Sequence, residues 1–352
     1  MAWPSPLQEA FPKILARRGQ PVCVLASGDP FFFGVGSLLA QLAPPQEILC
    51  LPQPSAFSLA ASRLGWALQD CALLSLHGRA FERVAPHLQP GARVLALSWD
   101  GETPQKLAAL LRERGLGGSR LTVCEAMGGP RERLRAALAE KFEMADVDPL
   151  NTIAVEVAAE SGVRIPPRAA GLPDDWFEHD GQITKRAMRA VTLAHLAPRP
   201  RELLWDVGAG SGSVGIEWLL ADPSMRAVAV ERDAARCARI RRNANTLGVP
   251  HLEIVQGEAP DALAGLGQPD AIFLGGGVTR AGLIDLCWQA LRKEGRLVVN
   301  AVTLESQSEI FAAEARLGGE LLQTQFSHAE PLGRFRGFRP AMPSIQWSVA
   351  KP

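Results

Sequence analysis

The stretch Leu203-Leu-Trp-Asp-Val-Gly-Ala-Gly-Ser-Gly-Ser-Val-Gly-Ile-Glu217 decides how the chain is read. An apolar run, Leu203 to Trp205, ends in Asp206, and glycines follow at alternate positions, Gly208, Gly210 and Gly212. The apolar spacing from Ser213 onward suits a helix. The expected order is strand, glycine loop, helix. Glycines let a backbone turn sharply and approach a ligand closely. The helix start beyond them offers unpaired N–H groups to a carboxylate or phosphate.

The spacing does not match the dinucleotide fingerprint, because a glycine arrives one residue early. Asp-x-Gly-x-Gly-x-Gly resembles instead the first motif of class I methyltransferases, which bind S-adenosyl-L-methionine. Three further strand ends support that reading. The strand Ala227 to Glu231 ends in an acid about twenty residues on, where a carboxylate holds two ribose hydroxyls. The strand Leu252 to Gln256 runs into Gly257-Glu258-Ala259-Pro260, where such enzymes cover the adenine. The strand Asp270 to Leu274 runs into Gly275-Gly-Gly277, beside the methyl-donor position. Open α/β sheets bind ligands at this carboxyl edge.

Composition narrows the class. A chain of 352 residues is long enough for two domains with real cores. Its 37 basic and 37 acidic residues cancel, which argues against a dedicated nucleic-acid binder. The six cysteines form no C-x-x-C pair and sit mostly in apolar runs, so they read as reduced thiols, neither zinc ligands nor disulfides. No run of eighteen apolar residues and no basic-then-apolar leader occurs. A cytoplasmic protein without membrane association is expected.

Taken in order, residues 1–20 read as a helix punctuated by proline. Pro21 to Ala26 reads as a short buried strand, followed by the Gly28-Asp29-Pro30 turn. The expected elements are then strand Glu47 to Leu51, helix Ser55 to Leu64 and strand Cys71 to Leu76. They continue with strand Arg93 to Leu97, helix Thr103 to Arg114, strand Arg120 to Glu125, helix Arg131 to Lys141 and strand Asn151 to Val157. Alternating strands and helices imply an α/β architecture. Residues 160–175 carry three prolines and little periodicity and read as a linker between domains 1–159 and 176–352. In the second domain a helix carrying Thr184 and Lys185 precedes the strands already named. Strand Gly295 to Val302, a helix from Glu305, strand Leu321 to Phe326 and strand Ile345 to Val349 follow.

The two halves together resemble the family of bifunctional precorrin-6Y C5,15-methyltransferases (decarboxylating) of cobalamin biosynthesis. In the first half Ala26-Ser-Gly-Asp-Pro30, Pro54-Ser-Ala-Phe-Ser58 and Leu76-His-Gly-Arg79 are similar to the tetrapyrrole methylase (class III) fold. In the second, Glu178 to Lys185, Asp206 to Gly212, Gly257 to Pro260, Asn300 to Glu305 and the arm Pro331 to Pro343 resemble the C15-methylating, decarboxylating class I Rossmann-like domain. One departure stands out. The tetrapyrrole methylase fold opens with a strand and a glycine-rich loop that helps form its donor site, and no Val-Gly-x-Gly stretch precedes Ser27. An incomplete first domain with weak C5 methylation is therefore expected.

The resemblance implies methyl transfer to C5 and C15 of a precorrin ring, with loss of carbon dioxide from the C12 acetate arm. It implies S-adenosyl-L-methionine as donor, no metal, and no acid–base triad. For the donor, Thr184, Asp206, Gly208, Ala209, Gly210, Ser211, Gly212, Glu231, Glu258, Ala259 and Gly275 are the candidates in the second half. Gly28, Asp29 and Pro30 are those in the first. Asp206 is expected to order the glycine loop. Lys185, Arg334, Arg336 and Arg339 are candidates for ring carboxylates, since a forked guanidinium suits a carboxylate. A solvated hairpin arm is the plainer reading of the last three. His179 reads as structural. A homo-oligomer is expected. Two alternatives remain: an RNA methyltransferase whose Arg/Phe arm stacks bases, and a first domain serving only dimerisation.

Overall fold

The computed structural model describes residues 2–4, 6–167 and 169–352. The chain divides into two compact units, residues 1–81 with 87–165, and residues 82–86 with 166–352. The expected linker spans this division. Its last part belongs to the second unit, because Leu172 is buried in that unit's core.

The first unit carries two short helices, α1 (Phe11–Leu15) and α2 (Gly36–Leu39), then α3 (Ala56–Leu64), β1 (Cys71–Ser75), β2 (Arg93–Leu97), α4 (Thr103–Glu113), β3 (Arg120–Glu125), β4 (Arg133–Leu138) and β5 (Asn151–Glu156). Helix α3 starts where Ser55 accepts from the Ser58 amide, an N-cap that satisfies one orphan donor, and stops at Gly65 in the left-handed region. The strand order is β1-β2-β5-β3-β4. Only β1 and β2 run parallel; β5 and β4 pair antiparallel to their neighbours.

Three sequence expectations fail in this unit. Residues 21–26 and 48–51 are irregular and mostly exposed, with Leu25 and Leu49 open to solvent. Apolar β-branched character made them look like buried strands, but a strand needs a neighbour to take its hydrogen bonds. The segment Arg131 to Lys141 forms no α-helix; only Ala139–Lys141 makes a single 3-10 turn. Its core, β4, pairs with β3 in register Glu125↔Arg133. The period-two placement of Arg133 and Arg135 puts both on one face. There they bond the buried Glu125 carboxylate at 2.7–3.1 Å. Burial raises the Glu125 pKa, but the bonds from Arg133, Arg135 and the Asp148 amide outweigh it and hold the carboxyl down at about 2. Long-range pairing thus overrides a helix-like local sequence.

The second unit contains α5 (Arg186–Leu196), β6 (Leu203–Val207), α6 (Ser213–Ala221), β7 (Arg226–Glu231), α7 (Ala234–Leu247), β8 (Glu253–Gln256), β9 (Ala271–Leu274), α8 (Leu283–Ala290), β10 (Arg296–Ala301), α9 (Leu304–Leu317), β11 (Glu320–Thr324), β12 (Ser327–Leu332), β13 (Phe335–Pro340) and β14 (Ser344–Ala350). Its sheet has the order β11-β14-β10-β9-β6-β7-β8, and β12 pairs with β13 alone. The strands β10, β9, β6, β7 and β8 are parallel, and β14 runs antiparallel between β10 and β11. Apolar side chains pack on both faces of this sheet in two core clusters. That explains the unbroken apolar runs of its central strands. After β6 the chain moves outward to β7 and β8, then returns to β9 on the other side. The crevice of such a doubly wound sheet opens at that reversal.

Candidate functional site

At the carboxyl edge of this sheet lies a cavity of about 810 Å³, open to solvent and bounded by the loops after β6, β7, β8 and β9. Its volume falls within the range typical of small-molecule sites. The four strand ends expected to carry the chemistry therefore meet in one place.

The loop after β6 supplies Gly208, Ala209 and Gly210 to the wall. Glycine is required at Gly208 by packing as well as by its φ of +72°: an added Cβ would stand 2.8 Å from the Gly276 amide. The loops after β6 and β9 are thereby pressed together, with Gly275 bonded through its amide to the Val207 carbonyl. At Gly210, with φ +60°, a Cβ would meet the Gln182 carbonyl at 2.9 Å. Glu231 ends β7 in the cavity wall, only 5% exposed. Its carboxylate accepts from the amides of Gly210 at 2.9 Å and Asp233 at 3.0 Å. One acid thus fixes both the glycine loop and the start of α7, and each oxygen keeps a lone pair for a ligand.

Three of the candidates lie behind the loop. Asp206 is 1% exposed, with Oδ2 accepting from the Gly215 amide in the first turn of α6 at 2.9 Å. Its Oδ1 is buried with no partner among the described residues. Burial, with the Glu231 charge nearby, pushes this carboxyl up to about 7 against the pull of the Gly215 amide. Ser211 is fully buried and Gly212 is the N-cap of α6. These three shape the loop from beneath.

Thr184 and Lys185 line the cavity, yet neither is helical: Lys185 is the N-cap of α5. The backbone ahead of α5 is laced down by residues the sequence reading did not single out. Asn243 on α7 accepts from the Glu178 amide at 2.8 Å and donates to the carbonyls of Glu178 and Ser211. Asp180 bonds Arg236 and Arg239, both at 3.0 Å, and the bonds from these two guanidiniums hold its carboxyl well below the usual range. Arg189, fully buried, donates Nε to Glu217 at 2.6 Å and its other nitrogens to the carbonyls of Thr184 and Leu172 and to Asp174. Arginine on the buried face of an amphipathic helix was the available signal for this strut. His179 accepts from the Gly181 amide and takes a local structural role.

Glu258, Ala259 and Gly275 line the cavity as expected. Glu258 pairs with Arg280 and lies 3.4 Å from Arg232. Arg232, Arg236 and Arg280 also line the cavity and were not anticipated. Arg334, Arg336 and Arg339 sit on the exposed hairpin β12–β13 and do not line it. The base of the hairpin does, through Phe326, Ala341 and Met342. Arg339 bonds Glu330 at 3.3 Å, and Arg334 lies over Phe335. In the first unit Gly28, Asp29 and Pro30 form a tight turn in which Asp29 accepts from the Phe31 amide. They are not among the residues around that unit's cavity of about 530 Å³, which lies between Leu76, Arg79, Trp99 and Leu110.

Comparison with known proteins matches two families along the chain. Residues 175–351 match the family described as a precorrin methyltransferase domain, and residues 7–143 match the tetrapyrrole (corrin/porphyrin) methylases. The chain is 57% identical to a precorrin-6Y C(5,15)-methyltransferase (decarboxylating) of Sinorhizobium sp., over 99% of this chain and 84% of that protein. It is 36% identical to a cobalt-precorrin-6B C(15)-methyltransferase (decarboxylating) of Salmonella typhimurium, over 46% of this chain and 85% of that protein. The crystal structure of the C-terminal domain of a precorrin-6Y C5,15-methyltransferase from Rhodobacter capsulatus superposes with a TM-score of 0.50 at 49% identity. It covers 53% of this chain and 100% of that one.

Proposed function

We infer the reaction from one premise: the chain belongs to the family of precorrin-6Y C(5,15)-methyltransferases (decarboxylating) and is a methyltransferase. It methylates a precorrin at C5 and C15 and removes the carboxyl of the C12 acetate arm, a step of cobalamin biosynthesis. We assign C15 methylation and decarboxylation to the second unit and C5 methylation to the first. The methyl donor is S-adenosyl-L-methionine, which supplies a methyl already activated on a sulfonium.

The observation that carries the second-unit assignment is the meeting of four strand-end loops on one cavity. Glu231 accepts the two ribose hydroxyls there. Thr184, Gly208 to Gly210 and Gly275 hold the rest of the donor against the glycine loop, and Glu258 and Ala259 cover its base. Asp206, Ser211 and Gly212 keep that loop in shape. The protein's task is alignment, since holding two reactants in line supplies much of the rate for such a transfer. No strong base is needed for an electron-rich ring carbon to attack. Lys185 and the arm arginines Arg334, Arg336 and Arg339 take ring carboxylates. In the first unit Gly28, Asp29 and Pro30 belong to the second donor site. Substrate and donor are both water-soluble, which fits cytoplasmic action.

The test is incubation of the full chain with precorrin-6Y and donor, counting added methyls and lost carbon dioxide by mass spectrometry. Methylation at C15 and loss of one carbon dioxide are expected, and the second methyl, at C5, reads the first unit separately. A substrate recovered unchanged, under donor concentrations that saturate a calorimetric titration, overturns the assignment.

A further inference from the structure

The cavity of the second unit has two chemically different halves. Its charged lining residues Glu231, Arg232, Arg236, Glu258 and Arg280 come from the end of β7, the first turn of α7 and the loops after β7, β8 and β9. The remaining one, Lys185 at the start of α5, has its Nζ 3.9 Å from Asp174. Over β10, β11 and the start of β14 the lining is uncharged: Met188, Asn300, Val302, Thr324, Phe326 and Met342.

Asn300 is held in this uncharged half by a buried polar cluster. Thr192 Oγ1 donates to the Met188 carbonyl at 2.8 Å, so it must accept from its other neighbours. It accepts from Asn300 Nδ2 at 2.9 Å and from Gln346 Nε2 at 3.1 Å. Gln346, the register partner of Asn300 across β10 and β14, also donates to Asn300 Oδ1 at 2.8 Å. Thr192 and Gln346 are fully buried, and Gln346 Oε1 has no partner among the described residues. A buried cluster that leaves an oxygen unpaired costs stability. What it achieves is a fixed amide at the cavity wall, with one hydrogen of Nδ2 and one lone pair of Oδ1 left for a ligand.

Resting on the functional reading above, we propose that this uncharged half, with the locked Asn300 amide in its wall, is the seat of the acetate arm that leaves as carbon dioxide. The ring's other carboxylates go to Lys185 and the arm arginines, outside this half. The electrostatic reason is simple. A carboxylate paired with a cation is stabilised, and that stabilisation is lost when carbon dioxide departs uncharged. A carboxylate held only by a neutral N–H loses less. In the step, the bond between the acetate methylene and its carboxyl carbon breaks and its electron pair passes into the conjugated ring. Carbon dioxide leaves, and the methylene carbon takes a proton from water to become a methyl. Asn300 orients the carboxylate without neutralising it.

The experiment places a cation in the uncharged half. Val302 lines the cavity and is 50% exposed, so Val302→Lys adds charge without burying it. With the full chain, precorrin-6Y and donor, Val302→Lys is expected to lower carbon dioxide loss at least tenfold more than it lowers methyl addition. A methylated, undecarboxylated product then accumulates. Val302→Gln, of similar length and neutral, is expected to lower the ratio of carbon dioxide lost to methyl added far less than Val302→Lys does. Asn300→Ala is expected to raise the substrate KM and lower the ratio of carbon dioxide lost to methyl added, with donor affinity by calorimetry unchanged. Wild-type decarboxylation in Val302→Lys, or equal loss in Val302→Gln, overturns the inference alone. A wild-type chain that turns over no precorrin-6Y overturns the functional reading and this inference with it.

Discussion

Replacing Glu217 by alanine tests how the backbone beside the cavity is held. The Glu217 carboxylate accepts from the Gly171 amide at 2.6 Å, the Leu172 amide at 2.9 Å and Arg189 Nε at 2.6 Å. Arg189 is fully buried, so the variant leaves a guanidinium without its nearest counter-charge. Asp174 and the carbonyls of Leu172 and Thr184 remain to it. Breaking a buried ion pair from one side costs about 3–5 kcal/mol. With a urea dependence of about 2 kcal/mol per molar, the unfolding midpoint of the second unit drops by about 2 M. Urea titration followed by tryptophan fluorescence reads this directly, because Trp218 is buried next to the substituted residue. The double variant Glu217→Leu, Arg189→Met is expected to recover at least half of the loss, since an apolar pair of similar volume pays no charge desolvation. Donor affinity is expected to fall in the single variant, because Arg189 also holds the Thr184 carbonyl. A midpoint shift below about 0.5 M, or a double variant no more stable than the single, refutes the reasoning.

Three further outcomes are expected. Glu231→Ala removes a charged acceptor worth about 1.5–3 kcal/mol, so donor affinity measured by calorimetry falls roughly 10- to 150-fold; wild-type affinity would take Glu231 out of the site. Asp206, pushed up to about 7 in the fold against an ordinary 3.8, holds a proton between those values that the unfolded chain has lost. Stability therefore declines as pH rises from about 4 to 7 and levels off above, by at most about 4 kcal/mol from this group. Asp206→Asn removes that slope, and denaturation midpoints of the two proteins across the window check it. Neutralising Arg334, Arg336 or Arg339 raises the substrate KM about two- to fivefold each, as for exposed charge pairs, and leaves donor affinity unchanged; salt-sensitive RNA binding by the wild type, lost in these variants, would point to the other class of substrate.

The second unit was legible because its information is local. A buried parallel strand is an apolar run, the turn after it needs glycine, and the acid at the next strand end meets that glycine loop directly, Glu231 accepting from the Gly210 amide at 2.9 Å. Reading Leu203 to Glu217, Glu231 and Gly257 to Pro260 one after another was enough to place them on one edge of one sheet. Where the determinant is a partner distant in the chain, the sequence misled. Arg131 to Lys141 has the composition of a helix and forms a strand because β3 and the buried Glu125 capture Arg133 and Arg135. Residues 21–26 have the composition of a strand and pair with no strand among the described residues. Thr184 and Lys185 line the cavity, but their support, Arg189 reaching Glu217 across 28 positions, shows no local pattern beyond a charge on an apolar face. The same holds for Asn300, whose orientation depends on Thr192 and Gln346 at separations of 108 and 46 residues. Periodicity and turn chemistry determine which elements form and which edge carries the loops. Which buried polar groups fix the side chains of that edge depends on hydrogen-bond partners that only tertiary folding brings within 3 Å of each other.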